Sequence, residues 1–254
     1  MAETPRLASG WCLERHAQLS STNDRAAAWA RSGHPLPAVI QADNQTAGRG
    51  QRGRRWSSPA GAGLYASFVS RPEVAPSQSP MLTLLAGLAV LDAIGGPVAA
   101  KLALKWPNDV WVAEEPWRGR KLAGILVEGA ISETQLDHVV FGIGLNLWPA
   151  VREGTPVSLA ELGFETERSI ESWCERLSVA LDTRCRDFAR EGAAPLEAEW
   201  TARAFGLGQR LLWGDGQRST QGTLRGIREG GLLVQTEAGP DEVFHHGRIE
   251  AFLD

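Results

Sequence analysis

Cysteine is scarce in this chain and follows no pairing pattern. Cys12, Cys174 and Cys185 are three in 254 residues, an odd number without CxxC spacing. That excludes a disulfide framework and a cysteine zinc site, and it fits reduced thiols in a cytoplasmic protein. The opening MAETPRLASGW lacks the apolar core of a signal peptide. The most apolar segment, MLTLLAGLAVLDAIGG, is too short to span a bilayer. It ends in a Gly-Gly stop and predicts a buried helix over 81–94. No surplus of positive charge exists either. Lys and Arg number 26 against 30 Asp and Glu, a net charge of −4, which argues against a general nucleic-acid binder.

What is present suits an enzyme-sized globular protein, with 43% hydrophobic residues and length enough for one large domain plus a small one. Ten tryptophans are more than usual, which places some of them near a binding surface.

STNDRAAAWARSG predicts a helix with Ser21 as N-cap, Asp24 three residues on as in a capping box, and Gly33 at the C-terminal end. AVIQADNQT and LYASFVSR read as strands. LALKWPNDVWVA, KLAGILVEGA and HVVFGIGLNL read as three more strand-like runs, the first two joined by a hairpin loop, EEPWRGR. PAVREGTPVSLAELG is a long connection of the kind that serves as a functional lid. Apolar residues step by three and four from Ser169 to Arg190, an amphipathic helix, and a shorter helix follows over 196–204. After Phe205 short apolar runs alternate with Gly-containing turns, which predicts a small all-β barrel and a domain boundary at 205/206.

The densest cluster of chemistry is TAGRGQRGRRW, Thr46 to Trp56. Gly48, Gly50 and Gly53 spell G-x-G-x-x-G, the dinucleotide fingerprint. That fingerprint must open a helix whose N-terminus holds the pyrophosphate. Here the breakers in RRWSSPAGAG follow, so the dinucleotide reading fails. A protein-kinase glycine loop would need downstream H-R-D and D-F-G, and neither occurs. The glycines still let backbone N–H groups approach a ligand, and the arginines can clamp carboxylate or phosphate oxygens. An anionic ligand and a solvated basic turn explain this loop equally well. Residues 46–56 and about 149–158 carry few packing anchors, so both loops are expected to be mobile without ligand.

KWPND, Lys105 to Asp109, sets a Lys, an amide and a carboxylate at a break in a strand-like run, with Pro107 marking an edge or bulge. Lys121 heads an apolar strand, either as a snorkelling edge residue or as a point charge for an anion. The glycines of GIGLN make either a bulge or a wall where a flat ligand meets backbone.

Taken in order, STN, QTAGRGxxGRxW, KWPND, KLAGILVE and GIGLN resemble the biotin protein ligase family over nearly the whole chain. The resemblance implies an α+β fold: a mixed β-sheet catalytic domain packed with helices, residues 1–205, and a small SH3-like β-barrel, residues 206–254. It implies ATP-dependent, Mg2+-assisted activation of biotin to biotinyl-5′-AMP. Transfer to a specific lysine of a biotin carboxyl carrier domain follows.

Carried over by motif, Ser21, Thr22, Asn23 and Gln45 frame the biotin head group. Gly48, Gly50, Gln51 and Gly124 lie along biotin, and Gly142, Gly144 and Leu126 form the wall beside its ring. Arg49 and Lys121 meet the carboxylate and the α-phosphate. Arg52, Arg54, Trp56, Lys105, Asn108 and Asn146 contact ATP or the adenylate, and Asp109 orients or deprotonates the acceptor lysine. The family pattern leaves the metal ligands unknown and a homodimer open. One departure stands out: many relatives carry Arg where this chain has Gln51. About twenty residues precede STN, too few for a helix-turn-helix, so no DNA partner is expected. A lipoate-type ligase and a biotin-binding module with little turnover are the alternatives.

Overall fold

The computed structural model describes residues 4–132, 135–150, 156–165, 169–237 and 239–253. Seven strands form one sheet: β1 (Cys12–His16), β2 (Ala38–Ala42), β3 (Gly63–Ser70), β4 (Leu102–Lys105), β5 (Asp109–Val112), β6 (Lys121–Ser132) and β7 (Gln135–Asn146). Their order is β1-β2-β3-β7-β6-β5-β4. β1 runs parallel to β2 and every other pairing is antiparallel, so the sheet is mixed.

The period-2 alternation of the strands sorts residues onto two faces. Val39, Phe68, Val139 and Phe141 join the main core. Their neighbours Ile40, Val69 and Val140 join a smaller core under helix α1 (Thr22–Arg31). The main core is closed by α2 (Met81–Ile94), apolar almost all round as the sequence predicts, and by α4 (Ile170–Glu191). The short helix α3 (Gly96–Ala100) links α2 to β4, and α5 (Ala193–Ala202) begins three residues before the expected start.

Helix boundaries follow local chemistry. Ser21 caps α1, its Oγ accepting from the Asp24 N–H, and Gly33 takes φ +72 just past the end. Asp24 differs from the expected capping box, because its carboxylate turns to Arg49 at 2.8 Å. Ser169 caps α4 by accepting from Ser172 N–H at 3.2 Å. Ser169→Ala is therefore expected to cost about 1 kcal/mol. Thermal denaturation should show this as a fall of about 2–4 °C in Tm. On the same helix burial pushes the thiols of Cys174 and Cys185 up to about 12, so both are unreactive packing residues.

LALKWPNDVWVA is not one interrupted strand. β4 and β5 pair antiparallel, with Lys105 opposite Asp109 and Trp106–Asn108 as the turn between them. Trp106 is buried and continues the apolar pattern through that turn, which hides the reversal from a periodicity reading. GIGLN, by contrast, runs as regular ladder: β7 pairs with β6 without a bulge at either glycine.

The C-terminal strands are β8 (Arg210–Gly214), β9 (Ser219–Arg228), β10 (Gly231–Thr236), β11 (Asp241–Phe244) and β12 (Arg248–Leu253). They form a second, antiparallel sheet in the order β11-β10-β9-β8-β12. Leu211, Trp213, Leu224 and Ile249 from this sheet belong to the main hydrophobic core. Thr201 on α5 accepts a hydrogen bond from Ile227 N–H at 3.0 Å, and Leu104 N–H donates to Arg203 at 2.8 Å. These contacts fix the second sheet beside the turn after β4. In the long connection after β7, residues 151–155 of the expected lid lie outside the described residues. Past them Val157 N–H bonds to Lys121 and Leu159 N–H to Asn146. No helix among the described residues is long and apolar enough to cross a membrane.

Candidate active site

The α1-side face of the sheet changes character at its centre. Where neighbouring positions are apolar, β3 places Ser67, β7 places Gly142 and Gly144, and β6 places Gly124. Ser67 lies opposite Gly142, and Gly144 opposite Gly124. The missing side chains let Asn23 and Trp56 pack against the strands there, at the base of a cleft of about 320 Å³.

One end of the cleft is polar and rigid. Ser21, Thr22 and Asn23 at the start of α1 are all buried. Gln45 Oε1 accepts from Thr22 N–H at 2.9 Å and from its hydroxyl at 3.1 Å, while Nε2 donates to Ser58 Oγ at 3.0 Å. Ser67 Oγ lies 2.7 Å from Thr22 Oγ1 and 2.6 Å from Asn23 Oδ1. Asn23 Nδ2 donates to Glu128 Oε2 at 2.7 Å. A Cβ on Gly142 would overlap the Asn23 carboxamide, so glycine is required there for space.

The middle is covered by Trp56. Its ring lies over Gly124 and Gly144, 2.7 Å from where a Cβ on Gly124 would stand. Lys121 Nζ sits 5.1 Å from the ring centroid, a cation–π contact. The Trp56 indole N–H is buried against Gly144 and has no hydrogen-bond partner among the described residues.

The other end is cationic. Lys121 Nζ pairs with Asp109 Oδ1 at 2.6 Å. Lys105 lies over the Trp111 ring at 4.3 Å and reaches the Ile249 carbonyl at 3.3 Å. Burial lowers the Lys105 pKa. Asp109 opposes that shift, and Lys121, Arg54 and Arg248 add to it. Several cations converging on one carboxylate leave an excess of positive charge where an anion can sit. Asn108 Nδ2 donates to the Ile125 carbonyl at 2.7 Å, pinning the β4–β5 turn to β6.

The Gly/Arg loop arches over this end. Arg52 adopts φ 57 and Gly53 φ 72, left-handed conformations that are uncommon outside glycine. The turn lets Arg52 Nη2 donate to the Gly247 carbonyl of the second sheet at 2.8 Å. Arg49 points elsewhere, with Nη2 held 2.8 Å from both Asp24 and Glu128 at the polar end.

The structure thus brings most of the expected site residues into one cleft. Ser21, Thr22, Asn23, Gln45, Arg49, Gly50, Gln51, Arg52, Arg54 and Trp56 line it from one side. Lys105, Asn108, Asp109, Lys121, Gly124, Leu126, Gly142 and Gly144 line it from the other. Gly48 and Asn146 stand behind the lining. Gly48 is buried, with no room for a Cβ against the Trp56 carbonyl. Asn146 is buried beside the Lys121 carbonyl at 3.4 Å.

Motif reading missed Ser67, the hidden anchor of Asn23. It also missed Gly247 to Glu250, a wall contributed from a hundred residues beyond GIGLN. In LYASFVS the small hydroxyl of Ser67, set between Ala66 and Phe68 inside a strand run, was a signal for Ser67. For residues 247–250 no sequence signal existed. Among the described residues no group of three His, Cys, Asp or Glu could hold a metal ion.

This geometry has counterparts among known proteins. The model of the biotin/lipoate A/B protein ligase family matches residues 16–146. The chain is 36% identical over 250 residues to the biotin–[acetyl-CoA-carboxylase] ligase of Mycobacterium tuberculosis, covering 95% of this chain and 90% of that one. It is 36% identical over 229 residues to the ligase of the same name from Paracoccus denitrificans, covering 86% and 91%. The biotin protein ligase of Aquifex aeolicus, solved with biotin and ATP, superposes with a TM-score of 0.76 at 27% identity, covering 94% and 97%. With its matched motifs gathered in one cleft and full-length relatives at this identity, the chain belongs to the biotin/lipoate A/B protein ligase family.

Proposed function

We propose that this ligase joins biotin to AMP and passes the biotinyl group to a lysine of a biotin carboxyl carrier domain. The observation that carries the reading is the layout of the cleft. Gly124, Gly142 and Gly144, on which the Trp56 ring and the Asn23 carboxamide lie, form the base of a cleft with hydroxyl and amide groups at one end and converging cations at the other. In the first step a biotin carboxylate oxygen attacks the α-phosphorus of ATP, and pyrophosphate leaves. In the second the acceptor amine attacks the acyl carbon, loses a proton, and AMP departs.

The first step forces two anions together. Fixed positive charge and backbone donors placed in advance lower that barrier. Lys121 is the cation nearest the glycine floor, with Lys105, Arg54 and Arg248 behind it. Trp56, with its ring over the floor, offers a stacking face to the adenylate. Asp109 is assigned to orient or deprotonate the acceptor lysine, whose ordinary pKa near 10.4 leaves it mostly protonated at neutral pH. It becomes available once an anion draws Lys121 away. Mg2+ entering with the triphosphate needs no dedicated cage, since it keeps several waters and few protein ligands. Asp109 and Glu250, carboxylates that line the cleft, would be the side chains to meet it. The second sheet, read as an SH3-like unit beginning at residue 206, completes the cleft through Gly247 to Glu250. We assign a cytoplasmic location to this function.

Incubation of the protein with ATP, Mg2+, biotin and a carrier domain, followed by streptavidin blotting, tests the reading. Labelling dependent on all four components is expected. Labelling with lipoate instead, or biotin binding without transfer, would replace the reading with a lipoate ligase or a binding module.

Gln51 gives a prediction of its own. Its neutral amide lacks the charge-assisted hydrogen bond that arginine supplies to an anion. Gln51→Arg is expected to slow release of biotinyl-AMP by about tenfold. Equal release rates in a stopped-flow chase would remove Gln51 from adenylate retention.

A further inference from the structure

Glu128 occupies the next cleft-facing positions of β6 after Gly124 and Leu126, at the rim of the polar end. A single oxygen of its carboxylate, Oε2, accepts from two residues. Asn23 Nδ2 donates at 2.7 Å and Arg49 Nη2 at 2.8 Å. Asn23 is buried and its Oδ1 meets Ser67 Oγ at 2.6 Å, so Ser67 and Glu128 set the orientation of the carboxamide between them. A weaker bond to the Leu126 carbonyl at 3.3 Å agrees with that orientation. Among the described residues Arg49 bonds through Nη2, to Asp24 and Glu128, which leaves Nε and Nη1 to donate to a bound anion.

We propose that Glu128 is a positioning residue for biotin, holding the head-group amide of Asn23 and the cationic fork of Arg49 in one arrangement. The inference rests on the biotin ligase reading above. A carboxylate suits the role because it accepts two charge-assisted or amide hydrogen bonds at one point without offering a competing donor. A glutamine could set its carbonyl oxygen at the same point but would lack the negative charge that holds the Arg49 guanidinium there. The Arg49–Glu128 pair is about two-fifths exposed on both sides, so its contribution to folding is small. Its effect belongs to binding, where orientation of both groups decides whether the substrate is met in one step.

The test compares the full-length wild type with Glu128→Gln in biotin-dependent pyrophosphate exchange and in release of biotinyl-AMP. For Glu128→Gln the biotin KM is expected to rise about tenfold and release to quicken by a similar factor, with kcat, the ATP KM and Tm nearly unchanged. Glu128→Asp, which keeps the charge at shorter reach, should recover part of the loss and serves in its place if the glutamine variant does not fold. A double-mutant cycle with Arg49→Lys should be non-additive. A biotin KM within twofold of wild type, tighter biotin binding, an equal rise in both KM values, or strict additivity would each overturn the proposal. Absence of biotin-dependent exchange in the wild type would overturn the ligase reading along with it, a failure distinct from an active enzyme in which Glu128 is silent.

Discussion

Lys121→Ala is expected to cut biotin-dependent pyrophosphate exchange by about two to three orders of magnitude, the usual loss when a preorganised charge is removed from the place where negative charge develops. The side chain extends over the glycine floor, 5.1 Å from the Trp56 ring centroid, and no other cation among the described residues stacks on that ring. Lys105 is drawn off towards Trp111 and the Ile249 carbonyl, and Arg49 towards two carboxylates.

The sequence gives no reason for a strand-edge lysine to matter to folding, but the ion pair with Asp109 does. Asp109 is only 19% exposed, so Lys121→Ala leaves a half-hidden carboxylate without its partner. A stability loss of about 1–3 kcal/mol follows. The double variant Lys121→Ala with Asp109→Asn separates the two effects. It should regain most of the stability in urea denaturation and none of the exchange activity. Exchange near the wild-type rate in Lys121→Ala would remove Lys121 from the first step.

Gly142→Ala is expected to raise the biotin KM by about a hundredfold, the scale of loss when a reacting group is misplaced by about 1 Å. The reason is space rather than backbone conformation. The added methyl would overlap the Asn23 carboxamide, which is fixed by Ser67 on one side and Glu128 on the other. Asn23 must move, and with it the polar end of the cleft. Far-UV circular dichroism should be unchanged, because the glycine sits in a regular β6–β7 ladder. The ATP KM should change only a few-fold. Gly144→Ala is the contrasting variant. Its methyl would meet the Trp56 ring instead, so its effect should fall on ATP rather than biotin. Parallel effects of the two substitutions on both substrates would show that the floor is not divided in this way.

Much of this was legible in the sequence. Helix α2 was marked by an unbroken apolar run with a glycine stop, α1 by Ser21 at its start, α4 by apolar residues stepping by three and four, and β2, β3, β6 and β7 by apolar runs between breakers. Local propensity and capping decide such elements, so a window of residues is enough. The β4–β5 reversal was not legible, because buried Trp106 keeps the apolar pattern through the turn.

The motifs picked out residues that the fold gathers in one cleft, since a glycine or a cation in a strand or loop is a local choice that leaves a local mark. Partners across the cleft leave none. The strand alternation fixes which face Ser67 and Glu128 occupy. Only the packing of α1 on that face brings Asn23 within 2.6 Å of one and 2.7 Å of the other. Arg49 shows the same division. The sequence determined that a cation stands in the Gly/Arg loop, while tertiary structure decided that it meets Asp24 and Glu128. The wall from Gly247 to Glu250 is the extreme case, brought to the cleft by a core that the second sheet shares with the first. Sequence by itself determined the chemistry available to this protein, because residue type and spacing are local. Tertiary structure alone decided which charges are paired, because pairing depends on distances between segments far apart in the chain.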